Sequence, residues 1–494
     1  MPAAPFSGPR IALGALLLAY AALLLSVIGA VPGGSDNSGY FNEGRLFLQG
    51  RIRAPMREIE GVPEGPLPYL YVPFGFRPAP DASPELVPTY PPGLPLLLAA
   101  SACLAGWTQA GNLVLAVHAL AGLALVYALG RRCGLPGYWA LGGALLLAAS
   151  PLYLFLSAQA LSDVPAAVWA TAAVLAAFAS RETPGWALAS GLCVSVGFLV
   201  RPSNFLVVIP VLAAAGLSPR RLALLALGTL PGIAAWAAIN HSAYGHALES
   251  GYGDIGSEFH ASLVGGALLY YVRWLPLIMS PVILLAPALP FVRGLGRRVP
   301  WVLTLWAASF IVFYCPYRWT TEAWWFLRFL IPAAPALLVA GLLVLHRWLG
   351  GQRRRHGFAM RQLPLALLVA SLGIMATQAK AYRQACTIGT GERKYGLVAD
   401  WVRAGLPPDA VVATCQASGA LFYYTDLTII RCDEVDPGLF ERIRGILGSE
   451  GRPLYAVLFP FEKHYLATMP GKWEEVGSVD DVVILRSGDP GRPR

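Results

Sequence analysis

Residues 10–45 read RIALGALLLAYAALLLSVIGAVPGGSDNSGYFNEGR. From Ile11 to Val31 there is no charge, and the run is about as long as the roughly 20 residues a bilayer crossing needs and longer than a signal-peptide core. It is expected to be an uncleaved first span. At Pro32 the chain turns polar and stays so to Thr89, rich in Pro, Gly and charge and much too long for a tight turn between helices. Such a loop is expected to carry function. Pro91 to Trp107 is apolar again but short, and its opening Pro91-Pro92-Gly93 fits a half-inserted or interfacial helix better than a crossing.

Working outward, the 494 residues hold 37 Lys+Arg against 28 Asp+Glu, yet only 13% are charged and 56% are hydrophobic. An ordinary soluble enzyme approaches a quarter charged, and a disordered chain combines low hydrophobicity with high charge, so both classes are excluded. Seven Cys without a CxxC pair argue against a zinc ribbon, a thioredoxin motif or a disulfide scaffold. Further apolar runs cover 111–130, 137–158, 164–180, 185–200, 203–218, 222–240, 264–292, 300–316, 328–346 and 363–379. With the first span they predict about eleven crossings.

A cytoplasmic N-terminus puts Arg131-Arg132, Arg181, Arg220-Arg221, Arg293, Arg297-Arg298, Arg347, Arg353 to Arg355 and Arg361 on the inside, as the positive-inside rule requires. The basic excess then belongs to cytoplasmic loops and not to nucleic-acid binding. Asp36, Asp163, Glu249, Asp254, Glu258 and Glu322 fall outside. So does the tail from Lys380, whose runs Ala410 to Thr414, Leu427 to Arg431, Leu454 to Phe459 and Val482 to Leu485 read as short buried strands between helical segments. Cys415 and Cys432 end two of these strands, and an oxidising exterior would permit them to pair, but nothing in the sequence places them within bonding distance. The expected fold class is thus an α-helical polytopic membrane protein with a small C-terminal α/β extracytoplasmic domain. Its boundaries are 1–379, with an external loop at 32–110, and 380–494.

The apolar runs are nearly free of Asp and Glu, which disfavours a proton-coupled transporter. Acids and Arg stand instead at the outer ends of spans: Asp36, Asp163, Arg201 and Arg328. Ser35-Asp36-Asn37-Ser38-Gly39-Tyr40, then Gly44-Arg45-Leu46 and Gly50-Arg51, resemble the first external loop of the GT-C membrane glycosyltransferases. There an Asp is followed four residues on by Tyr, in a helix that ends in Gly-Arg. Tyr90-Pro91-Pro92-Gly93, Arg131-Arg132, Ser150-Pro151, Asp163, Arg201-Pro202 and Arg328 before Pro332 and Pro335 continue the likeness in order from 11 to 349. The resemblance is to the protein-mannosyltransferase and aminoarabinose-transferase branch. It implies an inverting transferase of the inner (plasma) membrane that moves a sugar from a polyprenyl-phosphate carrier to a lipid, glycan or protein acceptor, outside the cytoplasm, in cell-envelope glycan biosynthesis.

On that reading Asp36 is the catalytic base, with Asp163 in support, and the two acids are expected to meet in one cavity. A phosphate leaving group needs no general acid. Arg201 and Arg328, with Tyr40, would bind substrate and carrier phosphate, since guanidinium suits phosphate bidentately. No cofactor or metal is expected: His241, His246 and His260 share one loop with Glu249, Asp254 and Glu258 but show no HxH or HExxH spacing. Each assignment has a plainer rival, with Asp36 and Asp163 as helix caps and the two arginines as snorkelling interfacial anchors. The competing functional class is a transporter or flippase of lipid-linked saccharide. The unsymmetrical long loop and soluble tail argue against the repeated halves such proteins usually show.

Overall fold

The computed structural model describes residues 8–62, 69–356 and 359–488. The side chains of the expected cytoplasmic Arg353 to Arg355 and Arg361 lie outside the described residues. The chain divides into two compact units. One comprises residues up to Ile28, Leu113–Trp236 and Asp254–Ile388, and the other Gly29–Asn112, Ala237–Gly253 and everything from Gly389. The boundary drawn from composition at 379/380 thus compares with a division at Ile388/Gly389. The tail is grouped with the external loop that follows the first helix.

The first unit is helical. Among the described residues five helices are long and apolar enough to cross a membrane, and up to seven if each of two bent pairs counts as one span. Several other apolar runs fold as shorter helices, among them Asp163–Ala179, Trp186–Val200 and Arg298–Tyr314. Two of the expected runs are broken, each at a proline. The run 137–158 is the pair Gly137–Ala148 and Pro151–Ser157, bent by 65°. Ser150 between them caps the second helix by accepting from the Tyr153 N–H at 3.2 Å, and donates to the Ile278 carbonyl at 2.6 Å. The run 264–292 is an α-helix, Val264–Ile278, followed by a 3-10 helix, Pro281–Phe291, with further prolines at 287 and 290. Each proline removes a backbone donor and clashes with the preceding turn.

Among the described residues the second unit holds two sheets. Strands β1 (Ala54–Pro55), β2 (Phe76–Pro78) and β3 (Glu85–Pro88) form an antiparallel sheet of order β1-β3-β2. From the tail come β4 (Val411–Thr414), β5 (Thr428–Arg431), β6 (Leu454–Leu458), β7 (Trp473–Val479) and β8 (Val482–Ser487), in order β5-β4-β6-β8-β7. β4 is parallel to β5 and β6, while β8 and β7 are antiparallel. Parallel neighbours need crossovers, and the helices Ser418–Tyr424 and Pro437–Glu450 supply them. Asp436 starts the second by accepting from the Gly438 and Leu439 N–H groups at 2.8 and 2.9 Å. Of the tail strands β7 alone is absent from the sequence reading. It lies at the sheet edge, half exposed, and carries Glu474, Glu475 and Gly477, so it lacks the apolar run that marks the others. Cys415 and Cys432 stand side by side where β4 and β5 end, as free thiols.

The helix Ser35–Leu48 belongs to this unit and is unusual in being polar yet buried from Asn37 to Gly44. It packs against the helices Gly93–Ala105 and Ser418–Tyr424. Buried polar groups need partners, and the tail provides two of them. The Asn42 amide donates to the Gly419 carbonyl at 3.0 Å, and Arg45 donates to the Tyr423 carbonyl at 2.6 Å while lying over the Tyr423 ring.

Candidate active site

Asp36 stands in the first turn of the Ser35–Leu48 helix, where a negative charge is favoured by the helix dipole. It is half-buried, and the Tyr90 hydroxyl donates to its Oδ1 at 2.8 Å. Tyr90 shares a further hydrogen bond with Ser35 at 3.2 Å. Burial, with the Asp36 charge adding to it, holds the Tyr90 phenol well above its ordinary pKa, so it stays a donor. Tyr40, one turn on, is buried with its ring 4.8 Å from that of Tyr90, and the exposed Tyr252 meets Tyr90 edge-on at 6.3 Å. Arg77 anchors the Tyr252 loop by donating to the Gly251 carbonyl at 3.0 Å. Gly39 is required here: a Cβ would lie 2.9 Å from the Gly75 Cα and closer still to the Tyr90 ring.

Two more acids of the second unit are buried or half-buried, one on this helix and one on another. Glu43 follows Asp36 and Tyr40 at the i+7 position that keeps it on their face. It is 2% exposed, and its Oε2 has no hydrogen-bond partner among the described residues. Burial alone holds its carboxyl well above the usual range. Glu392, from the Ala379–Gly405 helix, accepts the Gly34 N–H on Oε2 at 2.8 Å.

In the helical unit Asp163 opens the Asp163–Ala179 helix, with Pro165 in its first turn where no donor is lost. The carboxylate is 1% exposed and paired with Arg201. Arg201 ends the Trp186–Val200 helix because Pro202 follows: a residue before proline is driven out of the helical region, and Arg201 is extended at φ −151°, ψ 109°. Its guanidinium lies 5.1 Å from the Phe329 ring centroid, and that of Arg328 lies 5.5 Å from the same centroid. Tyr317, with its ring 5.1 Å from that of Phe329, faces both charges.

The structure therefore brings Asp163, Arg201 and Arg328 together in one unit, and Asp36 with Tyr40 in the other. The residues missed from sequence are Tyr90, a direct partner of Asp36, and the acids Glu43 and Glu392. Tyr90 was visible as part of a motif without a role, and Glu43 only as an i+7 spacing. Glu392 lies 356 positions from Asp36 and has no local signal. An apolar cavity of about 380 Å³ in the helical unit, lined by residues such as Trp139, Leu342 and Leu368, contains none of the named charged groups. Among the described residues no three His, Cys, Asp or Glu are grouped to hold a metal ion.

Residues 89–239 match the family model of the dolichyl-phosphate-mannose-protein mannosyltransferases. No curated protein matches the chain in sequence. In structure the chain is similar to ArnT from Cupriavidus metallidurans bound to undecaprenyl phosphate, with a TM-score of 0.62 at 15% identity over 98% of this chain and 99% of that one. Against the apo state of ArnT the TM-score is 0.59, again at 15% identity over 98% and 99%. It is also similar to the arabinofuranosyltransferase AftD from Mycobacteria, with a TM-score of 0.53 at 13% identity over 99% of this chain and 42% of the larger one. By the family model over residues 89–239, and by the fold over almost its whole length, the chain resembles the GT-C membrane glycosyltransferases.

Proposed function

We propose that the chain transfers a sugar from a polyprenyl-phosphate carrier to an acceptor hydroxyl at the outer face of the membrane. In this reaction the acceptor oxygen attacks the anomeric carbon as the bond to the phosphate oxygen breaks. A single displacement inverts the anomeric centre. The hydroxyl proton passes to Asp36, and the carrier leaves as its phosphate. Arg201 and Arg328 hold that phosphate, guanidinium being suited to it bidentately. Asp163 keeps Arg201 extended in its place, and Tyr90, backed by the Tyr40 ring, keeps Asp36 aimed. The acceptor is a lipid, glycan or protein. The reading includes about eleven crossings with the N-terminus inside and the second unit outside.

The observation that carries it is the pair of guanidiniums 5.1 and 5.5 Å from the Phe329 ring centroid, one of them balanced by a buried carboxylate. They occur in a chain with the fold of a protein whose structure holds undecaprenyl phosphate. Asp36→Asn tests it, since the amide preserves shape and removes basicity. Sugar transfer from a polyprenyl-phosphate donor in membranes is expected to fall by about 10²- to 10⁴-fold, the usual contribution of a general base, with expression and fold unchanged. Full transfer by this variant would remove Asp36 as the base. Movement of the donor across vesicle bilayers without product would favour the transporter class.

A further inference from the structure

The motifs point to no chemistry in the tail, yet a carboxylate from it reaches the turn that carries Asp36. The Ser35–Leu48 helix has no side-chain cap of its own, and the first N–H groups of any helix lack intrahelical partners. Glu392 meets that need from the Ala379–Gly405 helix by accepting the Gly34 N–H at 2.8 Å. The sequence makes room for it: a Cβ on Gly33 would lie 3.0 Å from the Glu392 carboxyl carbon and closer still to Oε2. The groups acting on its charge are the Gly34 N–H and, repulsively, the Asp36 carboxylate. Tyr395 on its own helix and Gln416 after β4 complete the surroundings, joined to each other by a 3.1 Å hydrogen bond. Lys394 is turned away, to Asp481 at 2.5 Å.

We propose that Glu392 is a positioning residue of the transfer reaction, clamping from the C-terminal domain the helix turn on which Asp36 stands. The proposal rests on the reading of Asp36 as the base. A charge-assisted bond from an N–H to a carboxylate is roughly twice as strong as a neutral one, and a negative charge at a helix N-terminus is stabilising, so this hydrogen bond is strongest when Glu392 is ionised. Burial pushes its pKa up to about 7. The bond to the Gly34 N–H is therefore charge-assisted above that value and neutral below it.

Two measurements test this. In the first, kcat for sugar transfer is followed from pH 5.5 to 8.5 in the wild-type protein and in Glu392→Gln and Glu392→Asp. Wild-type kcat is expected to fall below about pH 7. Glu392→Gln should be slower by roughly tenfold at pH 8, the scale of one charged hydrogen bond, with an unchanged KM for donor and no inflection near pH 7. Glu392→Asp, which keeps the charge but shortens the reach, should keep an inflection at reduced kcat. Wild-type kcat and an unaltered profile in Glu392→Gln would overturn the proposal. If that variant does not accumulate, an inflection in Glu392→Asp identical in height and position to the wild type's would overturn it as well.

The second measurement is independent of the reaction: hydrogen exchange of the backbone amides from Gly34 to Tyr40, corrected for intrinsic rates, in the full-length protein. Because the closed turn holds Glu392 at a raised pKa, protection is expected to fall as pH rises through about 7 in the wild type and to be pH-independent in Glu392→Gln. If Asp36→Asn proved fully active while this exchange pattern held, the base assignment would fall and the clamp would stand. Exchange that is the same in both proteins would remove the clamp itself.

Discussion

Asp163 and Arg201 are almost fully removed from water, at 1% and 11% side-chain exposure, and in such a place each charge depends on the other. Taking away one partner leaves an uncompensated buried charge, which costs about 3–5 kcal/mol, whereas removing both is far milder. Asp163→Asn is therefore expected to lower the thermal midpoint of the detergent-solubilised protein markedly, and adding Arg201→Met should recover most of the loss. A single variant as stable as the wild type would mean that Arg201 finds another anion. Glu43 is the opposite case, a buried acid with an unpartnered oxygen and a carboxyl held above its unfolded value of 4.5. A raised folded pKa means that the folded chain binds the extra proton, so its stabilising effect is complete below about pH 4.5 and is lost as pH rises through the folded value. Glu43→Gln, a shape match for the protonated acid, should equal the wild type in acid and surpass it at neutral and alkaline pH. Unfolding midpoints measured from pH 4 to 9 check this, and parallel curves for the two proteins would contradict it.

At the scale of elements, prolines decide where charged side chains emerge. The Trp186–Val200 helix ends at Arg201 because the ring of Pro202 excludes the helical conformation from its predecessor. Pro202 then opens the 3-10 turn Pro202–Val207 at the position where a missing N–H costs nothing. With Pro202→Ala the helix is free to continue, and Arg201 would leave both Asp163 and the Phe329 ring. The expected outcome is weaker binding of a polyprenyl-phosphate carrier by about tenfold, in line with the loss of one charge-assisted contact, in a protein of near-normal helix content. Carrier affinity equal to the wild type's would show that the turn does not set the arginine's position. The buried, polar Ser35–Leu48 helix follows a different logic. Its side chains are tied to the carbonyls of Gly419 and Tyr423 and its first turn to Glu392, so its fold depends on residues more than 350 positions away.

For the whole molecule the division of the chain is the informative feature, because the residues around Asp36 and the C-terminal sheet form one compact unit. Under the proposed topology this unit is outside the cytoplasm. Cys386, which follows the last apolar run within the helical unit, is exposed, whereas Cys415 and Cys432 of the second unit are buried. A membrane-impermeant maleimide is accordingly expected to label Cys386 in intact cells and the other two only after unfolding. Labelling of Cys386 solely after the cytoplasmic side is opened would invert the topology, and the outward-facing reaction would fall with it.

Composition and periodicity by themselves determined that this is a helical, apolar chain, that its acids and arginines collect at the ends of apolar runs, and that four short strands lie in the tail. These are local properties: hydrophobic runs must be buried, in lipid or in a core, wherever the chain goes. The order of Asp36, Asp163, Arg201 and Arg328 was likewise legible, since a motif is read along the chain. Only the tertiary structure decided which of these charges are partners, that two apolar runs break at prolines, and that Glu392 and Tyr90 attend Asp36. It also decided that the polar edge strand β7 belongs to the sheet and that Cys415 meets Cys432. The reason is common to all of them. Hydrogen bonds and ion pairs between segments tens to hundreds of residues apart leave no periodic trace in either segment, and they exist only once burial has brought the two together.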